Sequence, residues 1–158
     1  MGYLTLFIVA VVVAVVQHSA LASLPIAPDL PLALVAWAVV AGGESGVLLR
    51  AWLVGVARDV VDPGSLCFHT VVYFLIALAF LPARRLVHHG RFAGWMAYAA
   101  VSCIVITLAD RWLVGMRVWW PMAPVLAVAA LTAVATIPIG WTLTGLPKAI
   151  RPSADAAA

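Results

Sequence analysis

Apolar residues in this chain neither alternate nor recur at every third or fourth position; they form long uninterrupted runs separated by short polar or proline-rich breaks. Such runs predict helices that are apolar on all sides, the pattern of segments buried in a core or in lipid. The first, Tyr3 to Leu24, carries no formal charge and exceeds the roughly 18 residues that cross ~30 Å of hydrocarbon. Pro25, Pro28, Asp29 and Pro31 end it, because proline withholds a backbone donor. Leu30 to Ala41 follows and is short: about twelve residues rise only ~18 Å as a helix, so it predicts a short, tilted or re-entrant element. After the break at 42–46, Val47 to Val61 reads as a helix carrying Arg50, Arg58 and Asp59. Leu66 to Leu81, Phe92 to Ala109 and Trp120 to Leu146, with Pro138 inside the last, complete the set.

Composition fixes the solvent. The chain has 158 residues, 66% hydrophobic and 9% charged, with a mean hydropathy of +1.14, whereas charged residues make up about a quarter of soluble domains. The expected fold is an all-α, polytopic membrane helical bundle with six transmembrane helices. A transmembrane barrel would instead show alternating segments of about ten residues. Residues 1–147 form one integral membrane domain on this reading, and 148–158 a short disordered cytoplasmic tail. The first run imitates a signal peptide ending in Ala20-Leu21-Ala22, yet no Lys or Arg precedes it, which favours a retained helix.

A net charge of +3 does not indicate nucleic acid, because the basic residues are scattered and make no stripe. They act as topology signals. The loop at 83–91 holds Arg84, Arg85 and Arg91, and the tail holds Lys148 and Arg151, while the turns near 25–29 and 62–65 hold none. The positive-inside rule therefore predicts a cytoplasmic 83–91 loop and C-terminus. If Leu30 to Ala41 crosses, both chain ends are inside; if it is re-entrant, the N-terminus lies outside. Trp112, Trp119 and Trp120 then gather at the outer interface and Trp95 at the inner one. Cys67 and Cys103 lack the paired spacing of a disulfide or zinc framework.

The chemistry-bearing stretch is Arg58 to His69, RDVVDPGSLCFH. The residue before proline avoids helical ψ, so one helix is expected to end near Asp62 and the next to begin at Pro63. Asp62 is then expected to cap that helix by accepting the amide of Gly64 or Ser65. Ala51, Gly55 and Asp59 share a face, and small residues at that spacing let a neighbouring helix approach closely. An ionised Asp59 in this zone costs several kcal/mol unless it finds a partner, water or a proton. Candidate partners are the Arg58 and Asp62 pair at i, i+4, His69, and His18 near the end of the first run.

One interpretation is a polar clasp that fixes a helix hairpin; another is a proton or cation relay. HxxxH and CxxC spacings, a serine nucleophile elbow and a glycine-rich phosphate loop are missing. No enzyme activity, cofactor or metal is therefore expected. His88 and His89, beside Arg84, Arg85 and Arg91, make either a solvated basic turn or a docking site for a cytoplasmic protein or anionic lipid.

Pro28-Asp29, Gly55, Asp59, Pro63-Gly64 and His69, with Tyr73 one turn further on, resemble the pattern of the bacterial rod-shape-determining membrane protein family MreD. Elsewhere the resemblance lies in length and hydropathy. One departure is Cys67, where relatives often carry a glycine shortly before the histidine. The resemblance implies a scaffold of the cell-elongation machinery in the bacterial inner membrane that binds the single-pass protein MreC. It further implies support for the glycosyltransferase RodA, its class B penicillin-binding partner and the MreB filament, and a fold similar to the substrate-binding subunits of energy-coupling-factor vitamin transporters. That last similarity supplies a second expectation, a small-solute binding subunit. Under the first, Asp59, Asp62 and His69 clasp a hairpin whose outer surface, with Pro28, Asp29 and Arg58, receives MreC.

Overall fold

The computed structural model describes residues 2–40, 46–62, 67–83, 92–113 and 122–150. These residues form helices and no strands: α1 (Tyr3–Ser19), α2 (Leu30–Val40), α3 (Val47–Val61), α4 (Phe68–Ala83), α5 (Phe92–Leu113) and α6 (Met122–Ile150). The apolar runs account for all of them. The helix α6 continues to Ile150, so residues 148–150, assigned to a disordered tail from sequence, are helical.

The expected start of α4 at Pro63 is corrected. Cys67 has φ 65°, a left-handed conformation that interrupts a right-handed helix, and α4 begins just after it at Phe68. Asp62 is the C-cap of α3, its N–H donating to Arg58 O at 2.9 Å; it is not the N-cap of α4. Pro63, Gly64 and Ser65 lie outside the described residues.

The short segment is the centre of the fold. With 11 residues, α2 rises about 16 Å against ~30 Å of hydrocarbon. It packs against α1, α3, α5 and α6 and touches α4, and Leu32 to Ala36 and Ala38 to Val40 are almost wholly buried. A helix without a polar residue, LPLALVAWAVV, has no face that needs water, and here protein covers nearly all of it. The flanking helices run antiparallel in two hairpins. α3 and α4 form one; α5 and α6 form the other, with the Trp95 ring lying over Gly140 near one end and Cys103 facing Thr132 further along.

Outside, the bundle is apolar. Large hydrophobic side chains are exposed on α1, α3, α4, α5 and α6, with Leu4 at 73%, Trp112 at 78% and Trp141 at 75%. Ala93–Trp112 and Met122–Leu143 are long and apolar enough to cross a membrane, which points to membrane association. Hydroxyls on these helices turn to their own backbone: Thr107 Oγ1 donates to Cys103 O at 2.8 Å, and Thr142 Oγ1 to Pro138 O at 2.9 Å. Both arrangements remove donors that lipid would leave unmet.

Gly55 sets the spacing of the first hairpin. A Cβ there would lie 2.6 Å from Thr70 Cα and 2.8 Å from His69 O, both backbone atoms of α4. Backbone cannot rotate aside, so Gly55→Ala is expected to force the helices apart and destabilise the fold by about 1–3 kcal/mol. Thermal unfolding in detergent checks this, with Gly2→Ala as the control, since a Cβ at Gly2 meets only Thr5 Oγ1 at 3.9 Å.

Candidate functional site

Polar side chains that the sequence scatters over five helices meet in one layer. It begins at the start of α2, where Asp29 Oδ1 accepts the Leu32 N–H at 3.1 Å and Asp29 O accepts the Ala33 N–H at 3.0 Å. This is an N-cap, which supplies an acceptor to a helix start that has none of its own. The Leu30 N–H donates to Gln17 Oε1 of α1 at 3.0 Å, and the Asp29 N–H to Thr132 Oγ1 of α6 at 2.8 Å. Asp29 is thus positioned by three helices before its charge is considered.

Its carboxylate receives Arg58 Nη1 from α3, at 2.6 Å to Oδ1 and 2.5 Å to Oδ2. The same nitrogen donates to the hydroxyl of Tyr73 on α4, and the guanidinium carbon lies 5.8 Å from the Tyr73 ring centroid, within cation–π range. Tyr73 is fully buried, while the Arg58 and Asp29 side chains keep 20% and 15% of their exposure. The pairing of Arg58 with Asp62 expected from their i, i+4 spacing is replaced by this contact across the bundle.

The level of the pair is informative. Thr132 sits midway along the apolar stretch Met122–Leu143, and Cys103, whose Sγ is 3.9 Å from Thr132 Oγ1, midway along Ala93–Trp112. The ion pair therefore lies level with the middle of the two longest apolar helices. From Thr132 back to Met122, α6 rises about 15 Å beyond it, whereas α3 ends within one turn of Arg58, at Val61.

A second carboxylate, Asp59, closes the α3–α4 hairpin. Oδ1 accepts the His69 N–H at 3.2 Å and lies 3.0 Å from His69 Nδ1. Oδ2 accepts the Thr70 N–H at 2.8 Å and the Thr70 hydroxyl at 2.6 Å. With the proton on Nδ1, the tautomer that suits a carboxylate neighbour, His69 and Thr70 together present four donors and saturate it, and the α4 N-terminus adds a favourable helix dipole. Asp59 thus performs for α4 the capping expected of Asp62. The His69 ring meets the Tyr73 ring edge-on, with centroids 5.8 Å apart, and so joins the two networks.

Of the residues singled out from sequence, Asp29, Gly55, Arg58, Asp59, His69 and Tyr73 come together, with Pro28 in the turn leading into Asp29. His18 does not partner Asp59; with Asp62 it lines a cleft of about 210 Å³ between α1, α2 and α3, beside Arg58. Gln17 and Thr132 were not anticipated. Their signal is weak: Gln17 opens the short polar cluster Gln17-His18-Ser19 at the end of the first apolar run, and Thr132 is the first hydrogen-bonding side chain in the run from Met122. Among the described residues, no group of His, Cys, Asp and Glu is arranged to hold a metal ion.

No family model, curated protein or solved structure matches the chain. Function is therefore argued from the site. Asp29 and Asp59 act as ties, each spent on a helix start and a neighbouring helix.

Replacing Asp59 removes a cap and strands four donors at once. Asp59→Ala is expected to destabilise the fold by about 2–4 kcal/mol, and Asp59→Asn by less because its carbonyl keeps part of the cap. Unfolding of both variants in one detergent checks the order; equal losses contradict the capping role.

Proposed function

We propose that this protein is a non-enzymatic membrane scaffold of the bacterial cell-elongation complex that binds MreC. On this proposal it supports peptidoglycan synthesis through RodA and a class B penicillin-binding protein, with MreB on the cytoplasmic side. The observation that carries the reading is that Asp29 and Asp59, the acids of the central layer, are consumed by helix starts, Arg58 and Thr70. The Asp59 lone pairs are taken up by His69 and Thr70, and the Asp29 charge is neutralised by Arg58, which leaves neither acid suited to activate a water or a substrate.

Two further features support it. The position where the resemblance expects glycine, Cys67, has φ 65°, a conformation that glycine adopts freely. The cleft beside Arg58 holds about 210 Å³, below the ~300–1,000 Å³ of pockets that enclose small-molecule ligands. The proposed topology places six helices in the inner membrane, the short α2 reaching only part of the way across, with the Asp62 reversal toward the outside and the C-terminus in the cytoplasm.

Purification of the tagged, full-length protein from native membranes in mild detergent is expected to recover MreC at near-stoichiometric yield. Absence of MreC, together with a saturable vitamin-sized ligand in native mass spectrometry, would replace the scaffold by a solute-binding subunit. Sidedness follows from the native thiols, since Cys67 is exposed and Cys103 buried. A membrane-impermeant maleimide added to spheroplasts is expected to label Cys67 and spare Cys103; labelling of Cys67 only in inverted vesicles contradicts the topology.

A further inference from the structure

Two lengths in the bundle disagree. Helices α1 and α3 begin together, where the Tyr3 hydroxyl lies against Gly46, and end together at a cleft shared with the start of α2. With 17 and 15 residues, they rise about 25 and 22 Å, short of ~30 Å of hydrocarbon. The apolar stretches of α5 and α6, 20 and 22 residues long, reach that thickness. A bilayer that fits α5 and α6 is thus too thick beside α1 and α3, and bilayers adjust to short helices by thinning. The helix ends at the cleft carry Gln17, His18, Arg58 and Asp62, side chains that hydrocarbon disfavours. Thinning on this side brings lipid headgroups to the level of the cleft.

The cleft is equipped for one part of a headgroup. Of the five N–H groups of a guanidinium, those on Nη1 of Arg58 serve Asp29 and Tyr73. Nε and Nη2 make no hydrogen bond among the described residues. Gln17 turns Oε1 to the Leu30 N–H, and its Nε2 donors likewise have no bond among the described residues; His18 adds a ring N–H. Because Asp29 already balances the Arg58 charge, what the lining offers is a set of donors and not a surplus of charge. Asp62 contributes no side-chain donor, and its charge opposes an anion.

We propose that this cleft binds the phosphodiester of a membrane phospholipid, with Arg58 and Gln17 as its donors and the acyl chains outside the bundle. Phosphate oxygens accept several N–H bonds at once and match the guanidinium fork. At about 210 Å³, the cleft admits the headgroup and excludes the chains. Exposed Val12, Val15 and Val60 on the same two helices give those chains an apolar surface. The site goes beyond the scaffold reading and does not depend on it.

The test titrates the full-length protein in mild detergent with phosphatidylethanolamine, read by native mass spectrometry, with diacylglycerol and inorganic phosphate as comparison probes. A single saturable phospholipid is expected, with diacylglycerol bound about tenfold more weakly and inorganic phosphate not competing. Gln17→Glu keeps the acceptor for Leu30 and replaces the Nε2 donors by an anionic oxygen, while Ala22→Trp fills the cleft from its exposed rim. Each is expected to weaken phospholipid binding about tenfold, and Asp62→Asn is expected not to weaken it. Size-exclusion profile and helix content monitor folding. A photoreactive residue at Val61 in native membranes is expected to carry a phospholipid adduct, and this readout decides if a variant fails to fold. Equal binding of diacylglycerol, undiminished binding in folded variants, or no lipid adduct at Val61 overturns the proposal. Competition by inorganic phosphate at equal concentration assigns the cleft to free phosphate and overturns the lipid source. None of these outcomes turns on recovery of MreC, so this site and the scaffold reading fail separately.

Discussion

A guanidinium and a carboxylate held level with the middle of an apolar helix pair constrain everything around them. An ion pair removed from water loses several kcal/mol of solvation per charge, and its mutual attraction offsets this only if geometry is good and the remaining donors and acceptors are met. Here Asp29 accepts from Arg58 and Leu32, its amide is taken by Thr132, and Arg58 also donates to Tyr73. Each of those partners comes from a different stretch of chain, so the pair exists only when α2, α3, α4 and α6 are all in place.

That requirement explains why so short a helix can sit at the centre. In a membrane, apolar surface gives little drive for helix association, because lipid is as apolar as leucine; packing and polar contacts carry it. The α2 side chains supply close packing along almost the whole element, and its N-terminus supplies the polar anchor through Asp29. The hairpin of α3 and α4 uses the same two devices. Gly55 lets the backbones meet, and Asp59 fastens the start of α4 to the end of α3.

How much of this was legible beforehand differs by scale. The long apolar runs marked the helices, because lipid-facing or enclosed segments need no polar face, and Val47 to Val61 matched its run to the residue. The small-residue face at Ala51, Gly55 and Asp59 pointed to close helix contact for a sound physical reason. The ion pair was not legible: Arg58 and Asp29 are 29 residues apart, and local spacing favoured Asp62 instead. A guanidinium in a poorly solvated layer binds the carboxylate inside the bundle; the one at the helix end does not compete. Capping misled for a related reason, because Pro63 suggested a helix start, while the positive φ of Cys67 delayed it and a carboxylate from the preceding helix took the role.

The central claim is that Asp29 and Arg58 stabilise the bundle as a coupled unit. A double-mutant cycle with Asp29→Asn and Arg58→Gln, followed by reversible unfolding in bicelles, measures this directly. The account predicts a coupling energy of about 2 kcal/mol or more, with the double variant more stable than the sum of the single losses implies. Additive losses, with coupling below about 0.5 kcal/mol, would show that the two charges act independently and that packing of α2 alone holds the helices together.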